Sequence, residues 1–208
     1  MGIVGPNGAG KTTLLSIING TEAATEGAVY FCGRDVTRTG PEHRARAGIG
    51  RTFQIPRPFV SLSVFENVLA GAMYGAGLRG RAAEQRAGEA LERSELLKFA
   101  NEPAGALPLL LRKRLELARA LATGPELLLL DEIAGGLTES ECDSLVRTVN
   151  TLREDGITVI WIEHVVRALL AVVDRLVCIA SGRVVADGHP DAVISSPEVR
   201  RVYLGSGV

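Results

Sequence analysis

The sequence predicts an α/β protein built on a mostly parallel β-sheet. Two almost continuous apolar runs, at residues 127–130 and 157–162, have the composition of strands that are covered on both faces. A stretch with helical spacing at residues 140–153 lies between them, which predicts a β-α-β unit. A glycine-rich segment at residues 5–12 precedes a further helical pattern. We expect a single domain spanning residues 1–208, long enough to bury a core without disulfide bonds.

The glycine-rich segment fits the phosphate-binding pattern of Gly, any four residues, then Gly-Lys-Thr. Successive backbone N–H groups can surround a triphosphate only where side chains leave room, and glycines leave that room. Lys11 is expected to reach the outer phosphates, and Thr12 to offer its hydroxyl to Mg²⁺. The alternative is a glycine-rich turn that precedes a helix by chance. The predicted nucleotide-binding residues are Gly5, Pro6, Asn7, Gly8, Ala9, Gly10, Lys11, Thr12 and Thr13.

Composition narrows the possible functions. Hydrophobic residues make up 46% and charged residues 23% of the chain, as in an ordinary globular protein. The formal net charge of −1 argues against a general nucleic-acid-binding surface. Cys32, Cys142 and Cys178 are far apart and in no metal-like spacing, so we expect reduced, mostly buried thiols. No apolar run approaches the roughly 18 residues that span a bilayer, so a role at a membrane would require a partner.

Helices and short strands alternate along the rest of the chain. From Ser63 the sequence becomes charged and alanine-rich with helical spacing, and we predict a helical subdomain at about residues 60–123, inserted in the core. Other predicted helices are at residues 13–18 and in the tail, with 64–69, 81–100 and 112–122 inside the insertion, and short strands are predicted at 27–31, 48–54, 175–179 and 183–185.

Acidic residues follow the first apolar strand. Residues 127–130 end in Asp131 and Glu132, and ligands of parallel sheets bind beyond the carboxyl ends of the strands. Asp131 is expected to hold Mg²⁺, directly or through water, and Glu132 to orient or deprotonate the attacking water. Without the phosphate loop, an ordinary polar strand end would be the favoured interpretation.

The second apolar strand ends in Glu163 and His164. Alone, His164 would be interpreted as a structural or helix-capping histidine, but beside this site contact with the terminal phosphate is favoured. Gln54 follows a short strand and is unremarkable by itself. It becomes a candidate only because it occurs together with the phosphate loop, Asp131, Glu132 and His164. The predicted catalytic residues are Glu132, His164 and Gln54, and the predicted metal-binding residues are Thr12, Gln54 and Asp131.

In this order and spacing, the motifs resemble those of the ATP-binding subunits of ABC transporters. The phosphate loop, an Arg-Thr-Phe-Gln segment ending at Gln54, the strand ending in Asp131-Glu132, and Glu163-His164 carry the resemblance, which covers the whole chain. Residues 115–122 match the helix that follows the family's signature motif. Arg-Thr-Phe-Gln, Glu66-Asn67-Val68 and Tyr203-Leu204-Gly205 are similar to the branched-chain amino-acid importer ATPases.

The resemblance implies a RecA-like P-loop NTPase core with an inserted helical subdomain. It also implies ATP and Mg²⁺ as cofactors, two ATPase subunits that enclose ATP head to tail, and Gln54 as the sensor that signals to the permease. The implied partners are membrane permease subunits, a second ABC ATPase (the same chain or a sister chain) and, indirectly, a solute-binding protein, but no nucleic acid. The implied location is peripheral, on the cytoplasmic face of the plasma membrane.

The signature motif departs from the family pattern. The resemblance implies Leu-Pro-Tyr-Gly-Gln, but residues 107–111 read Leu-Pro-Leu-Leu-Leu. Leu110 replaces a glycine whose backbone N–H would approach the partner's γ-phosphate, and Leu111 replaces the glutamine. We therefore expect a homodimer to hydrolyse ATP poorly, although an intact sister chain could still serve this chain's phosphate loop. Ile133, where proline is common, is a minor change.

Only residues 1–4 precede the phosphate loop, so we expect a short strand that supports the loop poorly. The resemblance implies further antiparallel strands and an aromatic residue that stacks on adenine in this region. Either the true start lies upstream or the product is a weakened paralogue. Two functions stay open: an ATPase subunit that drives import of a small solute such as an amino acid, and a regulatory nucleotide-binding partner with little catalysis. A nucleic-acid or ribosome-acting ABC protein ranks third, since those usually carry two cassettes.

Overall fold

The computed structural model describes residues 1–204. Within that range the strands are β1 (Gly2–Val4), β2 (Tyr30–Phe31), β3 (Arg34–Asp35), β4 (Ile49–Arg51), β5 (Leu127–Asp131), β6 (Thr158–Ile162), β7 (Leu176–Ala180) and β8 (Arg183–Gly188). The helices are α1 (Lys11–Asn19), α2 (Pro41–Arg46), α3 (Val64–Ala70), α4 (Gly80–Arg93), α5 (Leu109–Ala122), α6 (Glu139–Glu154), α7 (Val166–Leu170), α8 (Pro190–Ser195) and α9 (Pro197–Leu204).

The main sheet has the strand order β4-β5-β6-β1-β7-β8 over the described residues. The first five of these strands run parallel, and β8 pairs antiparallel with β7. Strands β2 and β3 form a separate antiparallel pair. The predicted α/β fold with a parallel core is confirmed.

Both faces of the sheet are covered, as the apolar strands predict. In β5, Leu127 and Leu129 join an apolar cluster that includes Leu15 of α1. Leu128 and Leu130 point the other way, into a larger cluster that includes Leu145 of α6. Alternate residues of one strand thus enter two cores, which explains why the strand contains no polar positions before its acidic end.

Strand β1 is short but lies inside the sheet, between β6 and β7. Its residues are buried, and Gly2 is in register with Trp161 on one side and with Leu176 on the other. The amino group of Met1 donates a hydrogen bond to the carbonyl oxygen of Val159 at 2.8 Å. The expectation that this strand supports the phosphate loop poorly is therefore wrong, because pairing on both edges fixes it.

The β5-α6-β6 unit is present as predicted. Helix α6 begins after Thr138, whose hydroxyl accepts a hydrogen bond from the backbone of Glu141 while the Glu141 carboxylate accepts one from the backbone of Thr138. This capping box satisfies two helix-end donors and fixes where the helix starts. The start of α6 sets the length of the loop that follows Asp131.

Helices α3, α4 and α5 pack against one another in the region between β4 and β5. Helix α3 starts with a capping box between Ser63 and Glu66, and it continues directly into a π-helical turn, Gly71–Gly75. The boundaries of a separate helical subdomain at about residues 60–123 stay a prediction.

Several predicted element ends were wrong. Helix α5 starts at Leu109 instead of Arg112, because Pro108 takes the extended N-cap position. The helix predicted to reach residue 100 ends at Arg93, before Glu95 with a positive φ of 56°. Helices α2 and α7 were not predicted, and the predicted strand at 27–31 is confined to residues 30–31.

Two further predictions concern single residues. Cys142 and Cys178 are buried, as expected, while Cys32 is exposed. Tyr203 and Leu204 fall in α9, and Gly205 lies outside the described residues.

None of the helices in residues 1–204 is both long enough and apolar enough to cross a bilayer.

Replacing Ile3 with Ala tests the central position of β1. The Ile3 side chain is fully buried in the cluster under α1, so its truncation is expected to lower the free energy of unfolding by about 2–5 kcal/mol. Chemical denaturation followed by circular dichroism measures this loss. The matched control is Val184→Ala, at a strand position that is 63% exposed. Equal losses in the two variants would contradict a central β1.

Candidate active site

The phosphate loop connects β1 to α1 and is shaped by its glycines. Gly5 has φ +150°, and a Cβ there would collide with the carbonyl oxygen of Ile179 in β7. Gly10, with φ +97°, is the N-cap of α1, and no side chain caps that helix in the described structure. The first N–H groups of α1 therefore remain available to an anion.

Lys11 lies against the loop that precedes it. Its Nζ donates hydrogen bonds to the carbonyl oxygens of Gly5 at 2.8 Å and Pro6 at 3.0 Å. Burial lowers the pKa of Lys11, and the nearby carboxylates of Glu132 and Asp131 oppose that shift. An ammonium has three donors, so a donor remains for a phosphate oxygen.

Asp131 ends β5 beneath the loop. Its Oδ1 accepts a hydrogen bond from the Thr12 hydroxyl at 3.5 Å, and its Oδ2 accepts one from Arg51 Nη2 at 3.2 Å. Burial raises the pKa of the Asp131 carboxyl, and the interactions with Arg51 and Thr12 oppose the rise. Thr12 and Asp131, two of the predicted metal-binding residues, therefore lie next to each other, while Arg51 was not predicted as part of the site.

Glu132 joins the other predicted catalytic residues. Its Oε1 lies 2.7 Å from His164 Nε2, and its Oε2 accepts a hydrogen bond from Gln54 Nε2. The side chains of Gln54 and His164, which follow β4 and β6, thus meet at the carboxylate of Glu132, which follows the strand between them. Their roles in catalysis stay a prediction, but the geometry needed for those roles is present.

Glu163, between β6 and His164, is a functional candidate that the sequence analysis did not identify. It is 1% exposed, and its carboxylate accepts hydrogen bonds from the backbone N–H groups of Ala134 at 2.6 Å, His164 at 2.8 Å and Val165 at 3.2 Å. It therefore ties the segment after Glu132 to the segment that carries His164. The sequence shows only an acidic residue between an apolar strand and His164, and its burial and its three backbone partners are visible only in the structure.

Lys113 is the second such residue. Its Nζ, on α5, donates to the carbonyl oxygen of Glu132 at 3.2 Å. Burial lowers the pKa of Lys113, and the negative charges of Glu163 and Glu132 oppose that shift. This contact connects the helix after the signature motif to the catalytic loop.

An open cavity of about 560 Å³ lies over these groups, lined by residues 7–13 together with Gln54, Glu132 and His164. One wall presents Lys11 and the N-terminus of α1, which suit phosphates. Thr12 and Asp131 offer oxygen ligands suited to Mg²⁺. No group of three His, Cys, Asp or Glu side chains among residues 1–204 forms a metal site from protein ligands alone. The adjacent oxygens of Thr12 and Asp131 fit a Mg²⁺ ion that takes its other ligands from phosphates and water.

Residues 107–111, which differ from the family's signature motif, lie at the start of α5. Pro108 is its N-cap, Leu109 is 44% exposed, and Leu110 and Leu111 are half-buried. The first turn of α5 therefore presents leucine side chains where the resemblance implies a glycine. Ile133 is buried in the larger core.

Comparison with known proteins identifies the family. A family model described as ABC transporter matches residues 1–135, well over half of the chain. The chain belongs to the ABC transporter ATP-binding family. A second model, for branched-chain amino acid ATP-binding cassette transporters, matches residues 183–208. This ABC ATPase is 36% identical to the high-affinity branched-chain amino acid transport ATP-binding protein BraF of Pseudomonas aeruginosa, over 98% of the chain and 86% of that protein.

Other relatives widen the range of transport systems. The ABC ATPase is 33% identical to the lipopolysaccharide export system ATP-binding protein LptB of Haemophilus influenzae, over 99% of the chain and 85% of that protein. It is similar in structure to the ADP conformation of MJ1267, an ATP-binding cassette of an ABC transporter, with a TM-score of 0.89 and 31% identity over 98% of the chain and 87% of MJ1267. The predicted family and its ATPase class are confirmed.

Replacing Glu163 with Leu tests whether this buried carboxylate holds the site together. The variant keeps a similar volume but leaves the three backbone donors without their acceptor, so we expect a loss of at least about 2 kcal/mol in the free energy of unfolding. Chemical denaturation measures it, with Glu154→Leu on the exposed side of α6 as the control. A loss no larger than that of the control would show that these hydrogen bonds do not stabilise the fold.

Proposed function

We propose that this ABC ATPase binds and hydrolyses ATP with Mg²⁺ to drive import of a small solute through membrane permeases, with branched-chain amino acids the best-supported class. The observation that carries the proposal is the meeting of Gln54, Glu132 and His164 above the phosphate loop. The match of the C-terminal residues to the branched-chain amino acid family supports the solute class.

The residues of the site are assigned roles in phosphate binding, metal binding and activation of water. The loop residues 5–13 hold the phosphates, with Lys11 on the outer ones. Thr12 and Asp131, with Gln54, hold Mg²⁺, which when bound neutralises charge on the phosphates. Glu132 orients or deprotonates the attacking water, since its carboxylate faces the cavity next to the loop.

Gln54 and His164 are placed to report the state of the nucleotide. Both contact Glu132, so a water or phosphate that engages this carboxylate competes with these two contacts. Gln54 lies in the segment that connects β4 to α3. A displacement of Gln54 would therefore be passed along this segment to helices α3, α4 and α5. This is a population shift driven by differential contacts with the triphosphate.

The proposed partners are permease subunits, a second ABC ATPase and, indirectly, a solute-binding protein. Association with the permeases would place the chain peripherally on the cytoplasmic face of the membrane. BraF, a branched-chain amino acid transport ATP-binding protein by name, supports the solute class, while the similarity to LptB keeps an exporter as an outcome of the test.

A second candidate function is supported by the leucines at the start of α5. A chain with Leu110 in place of glycine can accept a sister's signature motif at its own phosphate loop, but it offers the sister a poor one. On this account the chain is the weakened partner in a pair with one good and one poor site.

Disruption of the gene in its host tests the importer. Initial uptake of radiolabelled leucine, isoleucine and valine is expected to fall, and the unaltered gene should restore it. Glu132→Gln should not restore uptake, because it removes the base that activates water. Glu154→Gln, an exposed change on α6, is the control and should restore it. Unchanged uptake of these and other amino acids after disruption would contradict the importer proposal.

Turnover by the chain alone tests the effect of the leucines. The double variant Leu110→Gly with Leu111→Gln is expected to raise steady-state phosphate release at least about tenfold, because a backbone N–H can then approach the partner's γ-phosphate. The control is Leu97→Gly with Lys98→Gln, an exposed pair outside the site. Fast, cooperative hydrolysis by the unaltered chain, or no gain in the double variant, would contradict this role.

A further inference from the structure

Arg51 connects the end of β4 to two other elements. Its Nη2 donates to Asp131 Oδ2 at 3.2 Å, and its Nη1 donates to Ser16 Oγ at 3.1 Å and to Asn19 Oδ1 at 3.3 Å. Ser16 and Asn19 belong to α1. The guanidinium is thus held by the helix under the phosphate loop, independently of its bond to Asp131.

The ion pair of Arg51 and Asp131 is buried. The exposed fractions of the two side chains are 6% and 3%, and Arg51 Nε has no hydrogen-bond partner within the described part of the chain. Burying a charge is costly unless it is paired. A neutral side chain on β4 could also form hydrogen bonds with α1. The positive charge of Arg51 is therefore explained by its position beside Asp131.

The two oxygens of Asp131 face different groups. Arg51 contacts Oδ2, while the Thr12 hydroxyl lies 3.5 Å from Oδ1. A cation beside Thr12 therefore meets one oxygen of a carboxylate whose charge is already balanced. Lys11 adds a second positive charge close to both Asp131 and Glu132.

We propose that Arg51 makes metal binding conditional on the nucleotide: by neutralising buried Asp131, it keeps free divalent cations out until phosphate oxygens supply the missing charge and ligands. Without phosphates, the positive charges of Arg51 and Lys11 balance the negative charges of Asp131 and Glu132 around the metal position. A bound triphosphate makes the net charge of these groups strongly negative. The lack of a site with three protein ligands in residues 1–204 agrees with this requirement. The inference rests on the proposed function, which places Mg²⁺ at Thr12 and Asp131.

The test measures binding of Mn²⁺, a spectroscopic substitute for Mg²⁺, by electron paramagnetic resonance on the full chain without nucleotide. Arg51→Gln removes the charge and is expected to bind free Mn²⁺ at least about tenfold more tightly than the unaltered chain. Arg51→Lys keeps the charge but not the planar fork, so its affinity is expected to stay close to that of the unaltered chain. A purely structural role would change stability in both variants and leave the affinity for free Mn²⁺ unchanged.

A second comparison uses only the unaltered chain, in case Arg51→Gln does not fold by circular dichroism. Adding a non-hydrolysable ATP analogue is expected to tighten Mn²⁺ binding at least about tenfold. Equal Mn²⁺ affinity with and without the analogue, or no gain in a folded Arg51→Gln variant, would overturn the inference about Arg51 alone. Absence of Mn²⁺ binding even with the analogue would overturn the proposed magnesium role as well.

Discussion

The pairing of β1 with both β6 and β7 is the constraint on which the rest of the site depends. Because this strand runs parallel to its neighbours, the loop that follows it emerges at the same sheet edge as the acidic ends of β5 and β6. Lys11, Glu132 and His164 are far apart in sequence but line one cavity for this reason, and Asp131 lies next to Thr12 in its wall. A three-residue strand is sufficient because its buried residues pair on both sides.

Buried charge is the second organising feature. Lys11 donates to loop carbonyls, Arg51 pairs with Asp131, Glu163 accepts three backbone N–H groups, and Lys113 donates to the carbonyl of Glu132. Each of these groups would be costly inside a protein without its partner. Together they fix the loops around the cavity.

Much of the fold and of the candidate site could be predicted from the sequence. The apolar strands predict a parallel sheet that is covered on both faces. Because ligands bind at the carboxyl ends of parallel strands, Asp131 and His164 are predicted to lie beside the loop. Arg51, Glu163 and Lys113 could not be found in this way, because their partners depend on which strands and helices become neighbours. The first turn of α5 was missed for a local reason, since its leucines carry no cap signal apart from Pro108.

Binding of ATP to the purified chain is the most direct test of a complete phosphate site beside an incomplete signature motif. Isothermal titration calorimetry should show saturable binding of one ATP per chain, weakened at least about tenfold by Lys11→Met, because that variant loses the cation that faces the phosphates. Lys98→Met, at an exposed lysine, is the control and should bind as the unaltered chain does. No saturable binding, or equal binding by Lys11→Met, would contradict the account.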